Sequence, residues 1–261
     1  MTDAELRRIF DEDAQLYDRA RPGYPATLFA DLVELTELGP GSRVIEIGPG
    51  TGQATGSLAA TGASITAVEL GPQLASVLRE NVRGTDVEVV NWAFEDWSPP
   101  QPVDLVTSFT AWHWVDHATR ADRVIAALAP GGRLATVATD HVRGGTVEFF
   151  AQARDCYLRW DPATDPDEPF LSPAELSAIT DEIDSDPRFG PAVRRRYVRD
   201  ITYTADDYLA VLETYSGHRA LSPESRTGLL SCLRALIEEQ YGGVITKTYL
   251  HELRIAQAHH R

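Results

Sequence analysis

An acid lies inside the apolar run Val44-Ile45-Glu46-Ile47, and three alternating glycines, Gly48, Gly50 and Gly52, follow it directly. Burying a carboxylate among branched aliphatic side chains is costly without a partner. Glu46 therefore calls for a cation, and a ligand ammonium reached directly or through water would serve. Alternating glycines leave the backbone bare, so that a ligand can approach it closely. A second acid, Glu69, closes the next apolar run, Ser64 to Leu70. It falls at the distance after the loop where a carboxylate can receive both hydroxyls of a ribose. A dinucleotide fingerprint needs a glycine where Gln53 stands, and a phosphate-binding loop needs Lys followed by Ser or Thr after its second glycine; neither is present. The spacing disfavours NAD, FAD and ATP and leaves a glycine loop flanked by two acids.

These residues need a scaffold, and the patterning supplies one. Short runs rich in β-branched residues at Arg43–Ile47, Ser64–Leu70, Val87–Asn91, Val103–Ser108 and Arg133–Ala138 predict buried strands. Helix-compatible stretches at Gln53–Ala60, Pro72–Val82 and Thr119–Leu128 lie between them. Alternating strands and helices predict an α/β fold, a doubly wound parallel sheet with right-handed crossovers. Ligands in such sheets sit beyond the carboxyl ends of the strands, where the glycine loop must lie. Upstream, Asp3 to Gln15 favours helix, Tyr17 to Pro25 is broken by two prolines and a glycine, and Ala26 to Leu38 has helical spacing. We expect a lid element over residues 1–25 and one domain over 26–261, with a helical cap inserted at about 143–191. That cap should hold helices at Val147–Trp160 and Ser172–Ser185, joined by the proline-acid loop Asp161 to Pro169. A strand from Arg194 to Thr204, helices at Ala205–Tyr215 and Pro223–Gln240, and a strand from Val244 to Ala256 complete the chain.

The 261 residues carry 39 acidic against 24 basic side chains, a net charge of −15, which repels nucleic acid and anionic membranes. The apolar fraction of 43% and charged fraction of 24% are those of a soluble globular protein. Neither a signal peptide nor a membrane span is visible, so the expected location is the cytoplasm. Two cysteines, Cys156 and Cys232, are too few for a disulfide framework, and two free thiols are expected; no Cys/His cluster suggests a metal. Lys247 is the only lysine, a bias that fits codon usage. Arg194-Arg195-Arg196 would alternate faces on a strand and reads as a solvated edge.

With its glycine loop from Glu46 to Gly52, Glu69, Phe94-Glu95-Asp96-Trp97, Trp112-His113-Trp114 and Leu128 to Leu134 in that order, the chain resembles the class I S-adenosylmethionine-dependent methyltransferases. It is most similar to their small-molecule branch, which includes trans-aconitate methyltransferase-like proteins. The Phe10 to Pro25 segment and the closing pair of strands are similar to the same branch. The resemblance implies a Rossmann-like seven-stranded sheet in the order 3-2-1-4-5-7-6, the last strand antiparallel. It implies S-adenosylmethionine as cofactor, S-adenosylhomocysteine as product, no metal, and a small-molecule acceptor methylated at O, N or C. A specialised metabolite would suit it, and either a monomer or a homodimer.

Carried onto this chain, Glu46, Gly48, Gly50 and Gly52 should hold the methionine and ribose portion, Glu69 with Leu70 the ribose hydroxyls, and Phe94 the adenine. Ala93 stands where many relatives have an acid for the adenine amino group, a role Glu95 or the backbone could take. Tyr17, Arg21 and Tyr24 are candidates for covering the cofactor, Arg21 by pairing with the methionine carboxylate. A sulfonium is attracted to aromatic faces, so Phe109, Trp112 and Trp114 are candidate walls of the reacting centre. An amine or hydroxyl acceptor must lose a proton. His113 is the first base to test; Tyr17 and His218 are further catalytic candidates, and His141 with the two tryptophans would face the substrate. Three alternatives compete: a catalytically inactive cofactor-binding regulatory or interaction protein, a nicotinamide oxidoreductase, and a nucleic-acid methyltransferase. Gln53 disfavours the second; the charge, and the lack of an Asn-Pro-Pro-Tyr-type segment, disfavour the third.

Overall fold

The computed structural model describes residues 10–259. Seven strands, β1 Arg43–Ile47, β2 Ser64–Glu69, β3 Val87–Asn91, β4 Val103–Phe109, β5 Leu128–Val142, β6 Val193–Thr204 and β7 Val244–Gln257, form a mixed sheet in the order β3-β2-β1-β4-β5-β7-β6. Strands β3, β2, β1, β4 and β5 pair in parallel. Side-chain bonds Thr139 to His251 and Arg254 to Thr136 run in opposite chain directions, so β7 is antiparallel to β5. The expected order and the reversed last strand are both present. Strand β5 begins five residues earlier than its apolar run, at Leu128, because Val103 pairs with Leu128 before the register shifts to Leu105 with Arg133.

The chain divides into two compact units. One, the loop unit, comprises 22–139, 178–197 and 251–261, and the second comprises the rest. In the loop unit, period-two alternation places Ile45, Ile47 and Val106 in one apolar cluster and Val44, Ile65 and Leu105 in another, on opposite faces of the sheet. Helix Ala26–Thr36 buries Leu28 and Leu32 in the second cluster and ends at Glu37, whose φ is 57°. Helices Thr55–Ala59, Pro72–Asn81 and Arg120–Ala127 follow β1, β2 and β4.

Two expected features give way in the chain around these strands. Ser172 to Ser185 is not a helix: one turn forms at Ser172, where Glu175 accepts the Ser172 amide, and a 3-10 turn at Glu182–Asp184. Between them Ile179 donates its amide to Glu252 and accepts from Arg194, so side-chain partners replace helical ones. Nor does the segment after Tyr17 break at once; helix Ala14–Ala20 runs through it, and the prolines act only from Pro22 onward. Of the helix-favouring stretch Asp3 to Gln15, residues 3–9 lie outside the described residues; its remainder forms a 3-10 turn, Phe10–Asp13, and the start of helix Ala14–Ala20.

The second unit is built on helices Ala14–Ala20, Val147–Trp160, Ala205–Glu213, Ser216–Ala220 and Pro223–Gln240. Phe149, Ala153, Leu209, Leu212, Leu229, Leu233 and Ile237 form its core. The two cysteines are not free: Cys156 and Cys232 form a disulfide between helices Val147–Trp160 and Pro223–Gln240. Packing of those helices sets their Cα atoms 5.8 Å apart, within bridging range, a proximity that a separation of 76 residues hides. No helix among the described residues is long and apolar enough to cross a membrane.

Candidate active site

The loop after β1 turns on three left-handed glycines, with φ of 63°, 63° and 104° at Gly48, Gly50 and Gly52. A Cβ at Gly48 would stand 2.6 Å from that of Ala111, and one at Gly52 would stand 2.8 Å from Leu78 Cδ1. Side chains are therefore excluded by conformation and by space. The Gly50 amide donates to Glu69 Oε2 at 2.9 Å and the Gly71 amide to Oε1 at 2.8 Å. These bonds fix the buried carboxylate at the end of β2 beside the loop. Asn91 steadies the same corner by donating to the carbonyls of Glu69 and Leu70. Asn81 donates to the Thr51 carbonyl within the loop.

Glu46 is 1% exposed, and neither carboxylate oxygen has a hydrogen-bond partner. Its register neighbour Thr107 on β4 and nearby Thr55 are also buried with unpartnered hydroxyls. Desolvation pushes the Glu46 pKa up to about 7; Thr55 opposes this, and the charge of Glu69 adds to it. Two orphaned polar groups on one face of the sheet, Glu46 and Thr107, and a third on the helix that follows β1, Thr55, match a bound ammonium or water in place of protein partners. The residues thus fit a nucleoside ligand that carries an amine. Thr55 and Thr107 escaped the sequence reading, although a threonine inside the apolar β4 run was a visible signal.

Past the glycine loop, β3 ends near Ala93, half-buried with φ of −75°, and Phe94 turns its ring into the core. Glu95 accepts the Asp116 amide at 3.0 Å. At the end of β4, Thr110 takes a left-handed φ of 54°, a conformation that costs a β-branched residue energy. Its amide donates to the Val137 carbonyl, and its hydroxyl lies 2.9 Å from Tyr24 Oη and 3.0 Å from Thr139 Oγ1. Thr139 continues to His251 Nδ1 at 2.9 Å. Tyr24 and Phe29 pack their rings on Phe109, which is buried. This polar chain held no sequence signal, because its members come from four distant segments.

The Trp112-His113-Trp114 turn splits in role. Trp112 is buried under the Arg120 guanidinium, 4.4 Å from its ring, and its Nε1 donates to Asp181 at 2.8 Å. Arg120, 1% exposed, also donates to Glu182 at 2.8 Å, and Arg254 donates to Asp181 and Asp184. Trp112 is thereby a structural post. His113 reaches solvent and lies against Trp114, 4.8 Å between ring centroids. Partial desolvation, then the charges of Arg120 and His117, lower its pKa. Two of the three arginines expected on a solvated edge are engaged instead: Arg194 with Asp184 and Arg196 with Glu252.

Tyr17, Arg21, His141 and His218 belong to the second unit. The Arg21 guanidinium lies 5.0 Å from the Tyr17 ring and 4.5 Å from that of Tyr215, and donates to the Thr214 carbonyl. His141 packs on Phe150 and Phe170, and His218 bonds to Tyr157 Oη at 2.9 Å.

Residues 44–132 match the profile of a methyltransferase domain. An uncharacterised methyltransferase of Mycobacterium tuberculosis is 36% identical over 133 residues, 51% of this chain and 53% of that protein. The chain spans about half the length of the curated relatives it matches. Among solved structures, one from Anaeromyxobacter dehalogenans assigned as a type II methyltransferase superposes with a TM-score of 0.61 at 21% identity, covering 92% of this chain and 99% of that one. Phosphoethanolamine N-methyltransferase 2 of Haemonchus contortus, in complex with phosphomonomethylethanolamine and S-adenosylhomocysteine, gives a TM-score of 0.52 at 17% identity, covering 96% and 58%. Over residues 44–132, which include the glycine loop and strands β1 to β4, the chain is thus similar to a methyltransferase domain.

Proposed function

We propose that this protein transfers a methyl group from S-adenosylmethionine to O, N or C of a small organic molecule. The observation that carries the reading is the pair of buried acids on the glycine loop, Glu69 held by loop amides and Glu46 without any protein partner. When bound, S-adenosylmethionine supplies an activated methyl group on a sulfonium, so the protein contributes orientation and electrostatics.

Glu46 would pair with the ligand's ammonium and ionise in doing so. Glu69 would accept the ribose hydroxyls, and the bare backbone at Gly48 and Gly50 would lie against the methionine portion. Because Phe94 is buried, the backbone around Ala93 is the better adenine reader. His113 reaches solvent with a lowered pKa, and a neutral imidazole there can take the proton that an amine or hydroxyl acceptor must shed. The net charge of −15 supports a small acceptor over a nucleic acid.

Isothermal titration with S-adenosylhomocysteine, with NAD as control, tests this reading. Micromolar affinity for the former alone is the expected result, and Gly50→Arg should abolish it by filling the loop. Absence of binding to the wild-type chain overturns the assignment.

A further inference from the structure

Thr110, directly after β4, holds a left-handed φ of 54°, which a β-branched residue keeps only where its surroundings over-determine it. That strain directs attention to what its side chain meets. The Thr110 hydroxyl lies 2.9 Å from Tyr24 Oη on one side and 3.0 Å from Thr139 Oγ1 on the other, and Thr139 reaches His251 Nδ1 at 2.9 Å. His251 is buried, whereas Tyr24, Thr110 and Thr139 are half-buried. Three bonds in series thus run from a buried imidazole out to a tyrosine, all within the loop unit. A hydroxyl both donates and accepts, so donation can run in one sense from end to end, each bond polarising the next.

The stretch from Pro22 to Pro25, which carries Tyr24, lies beside the glycine loop near both of its ends. A Cβ at Gly23 would stand 3.7 Å from the carbonyl oxygen of Gln53, just past the last glycine. Tyr24 bonds to Thr110, whose neighbour Ala111 closely approaches Gly48, the first glycine. Ring closure fixes φ at Pro22 and Pro25, and Pro25 restricts Tyr24 before it to extended backbone, so Gly23 is the joint of a stiff segment. Beyond it, helix Ala26–Thr36 is anchored by buried Leu28 and Leu32. The Tyr24 ring packs on Phe109, His251 and Phe29, with centroids 4.9, 5.5 and 6.4 Å away. Apolar packing is non-directional, whereas the hydroxyl bond to Thr110 has one geometry and so fixes one position of the segment.

We propose that residues 22–25 form a strap that opens to admit a ligand to the glycine loop and closes over it, with Thr110, Thr139 and His251 as the positioning residues that latch Tyr24 shut. That the ligand is S-adenosylmethionine rests on the methyltransferase reading above; the latch itself does not, and it is read first without ligand.

Protein labelled with 13C-tyrosine, its Tyr24 ring signal assigned by loss in Tyr24→Phe, should give one sharp Tyr24 signal. Thr110→Val keeps the branched shape but removes the hydroxyl, and should broaden or split that signal by exchange between strap positions. Thr110→Ser keeps the hydroxyl and should restore the wild-type line. Surface plasmon resonance then follows S-adenosylhomocysteine. Association and dissociation rates should both rise about three- to tenfold in Tyr24→Phe and Thr110→Val, with Kd changed by less than about twofold. Thr139→Val, one bond farther along, should act in the same direction and more weakly, and Thr110→Ser should keep the wild-type rates. A side chain that merely walls the ligand would speed dissociation alone and weaken Kd. If Thr110→Val does not unfold cooperatively, Tyr24→Phe carries the rate test. A Tyr24 signal unmoved by Thr110→Val, the same broadening in Thr110→Ser, or a rise in dissociation alone overturns the latch. A Tyr24 signal that loosens as expected in a protein that ignores S-adenosylhomocysteine upholds the latch and sinks the methyltransferase reading. Binding of S-adenosylhomocysteine with rates that none of the variants moves sinks the latch alone.

Discussion

At the scale of single residues, Glu46 couples folding and ligand binding to pH. Its carboxyl titrates near 7 in the folded chain against an ordinary value of 4.5. Between those values the folded state holds a proton that the unfolded state has released. The stabilising contribution is complete below 4.5 and is lost as pH rises through 7. Its full size is about 3 kcal/mol. Glu46→Gln should flatten this part of the stability profile, read as the urea midpoint against pH. An ammonium-bearing ligand favours the ionised form, so S-adenosylhomocysteine binding near neutral pH should release a proton. Calorimetry in buffers of different ionisation enthalpy checks this, and an absence of proton release sinks the Glu46 pairing. Glu69→Gln keeps the shape but loses the charge that two loop amides and two ribose hydroxyls would share. We expect affinity to fall by about tenfold to a hundredfold. His113→Ala should leave that affinity intact while lowering turnover, since the side chain lies outside the loop's bonding network.

At the scale of elements, the turn after β4 is held by a buried ionic cluster. Arg120 and Arg254 share Asp181, and Trp112 donates to the same carboxylate. Desolvation opposes ionisation of Asp181, but Arg254 and Trp112 prevail and its pKa falls. Removing one member strands a buried charge, which costs about 3–5 kcal/mol. Arg120→Ala should thus lower the melting temperature by roughly 10 °C in a chain of this size. A drop confined to 1–2 °C, roughly what a surface ion pair gives, would show that the cluster is solvated. The strands of this unit were legible because β-branched apolar runs bury on both faces of a parallel sheet. Ser172 to Ser185 was not legible as irregular chain. Its local composition favours helix, but Arg254, Arg194 and Glu252, remote in sequence, bind its acids and backbone instead.

For the whole molecule, the Cys156–Cys232 bridge closes a span of 76 residues in the second unit. Loop closure of this length is worth about 4 kcal/mol in a chain-entropy estimate. Thiol reduction, or a Cys156→Ser/Cys232→Ser double variant, should lower the unfolding midpoint accordingly. An unchanged midpoint in calorimetry would remove the bridge from the stability of the fold. A count of two cysteines argued for free thiols because counting carries no distance information, and packing of two helices supplied it.

What the sequence determined by itself was the part written in consecutive residues. That part comprises the alternation of strands and helices, the glycine loop with its left-handed turns, and the two acids that flank it. Each follows from side-chain period, backbone freedom or the cost of a buried charge, all of which act within a few residues. What only the tertiary structure decided was which distant groups meet. It gave Trp112 to Arg120 and Asp181, linked Tyr24, Thr110, Thr139 and His251 in one polar chain, and set Lys247 among tyrosines from three elements. Those meetings depend on how the whole chain closes its loops to bury apolar surface, and no window of sequence contains that information.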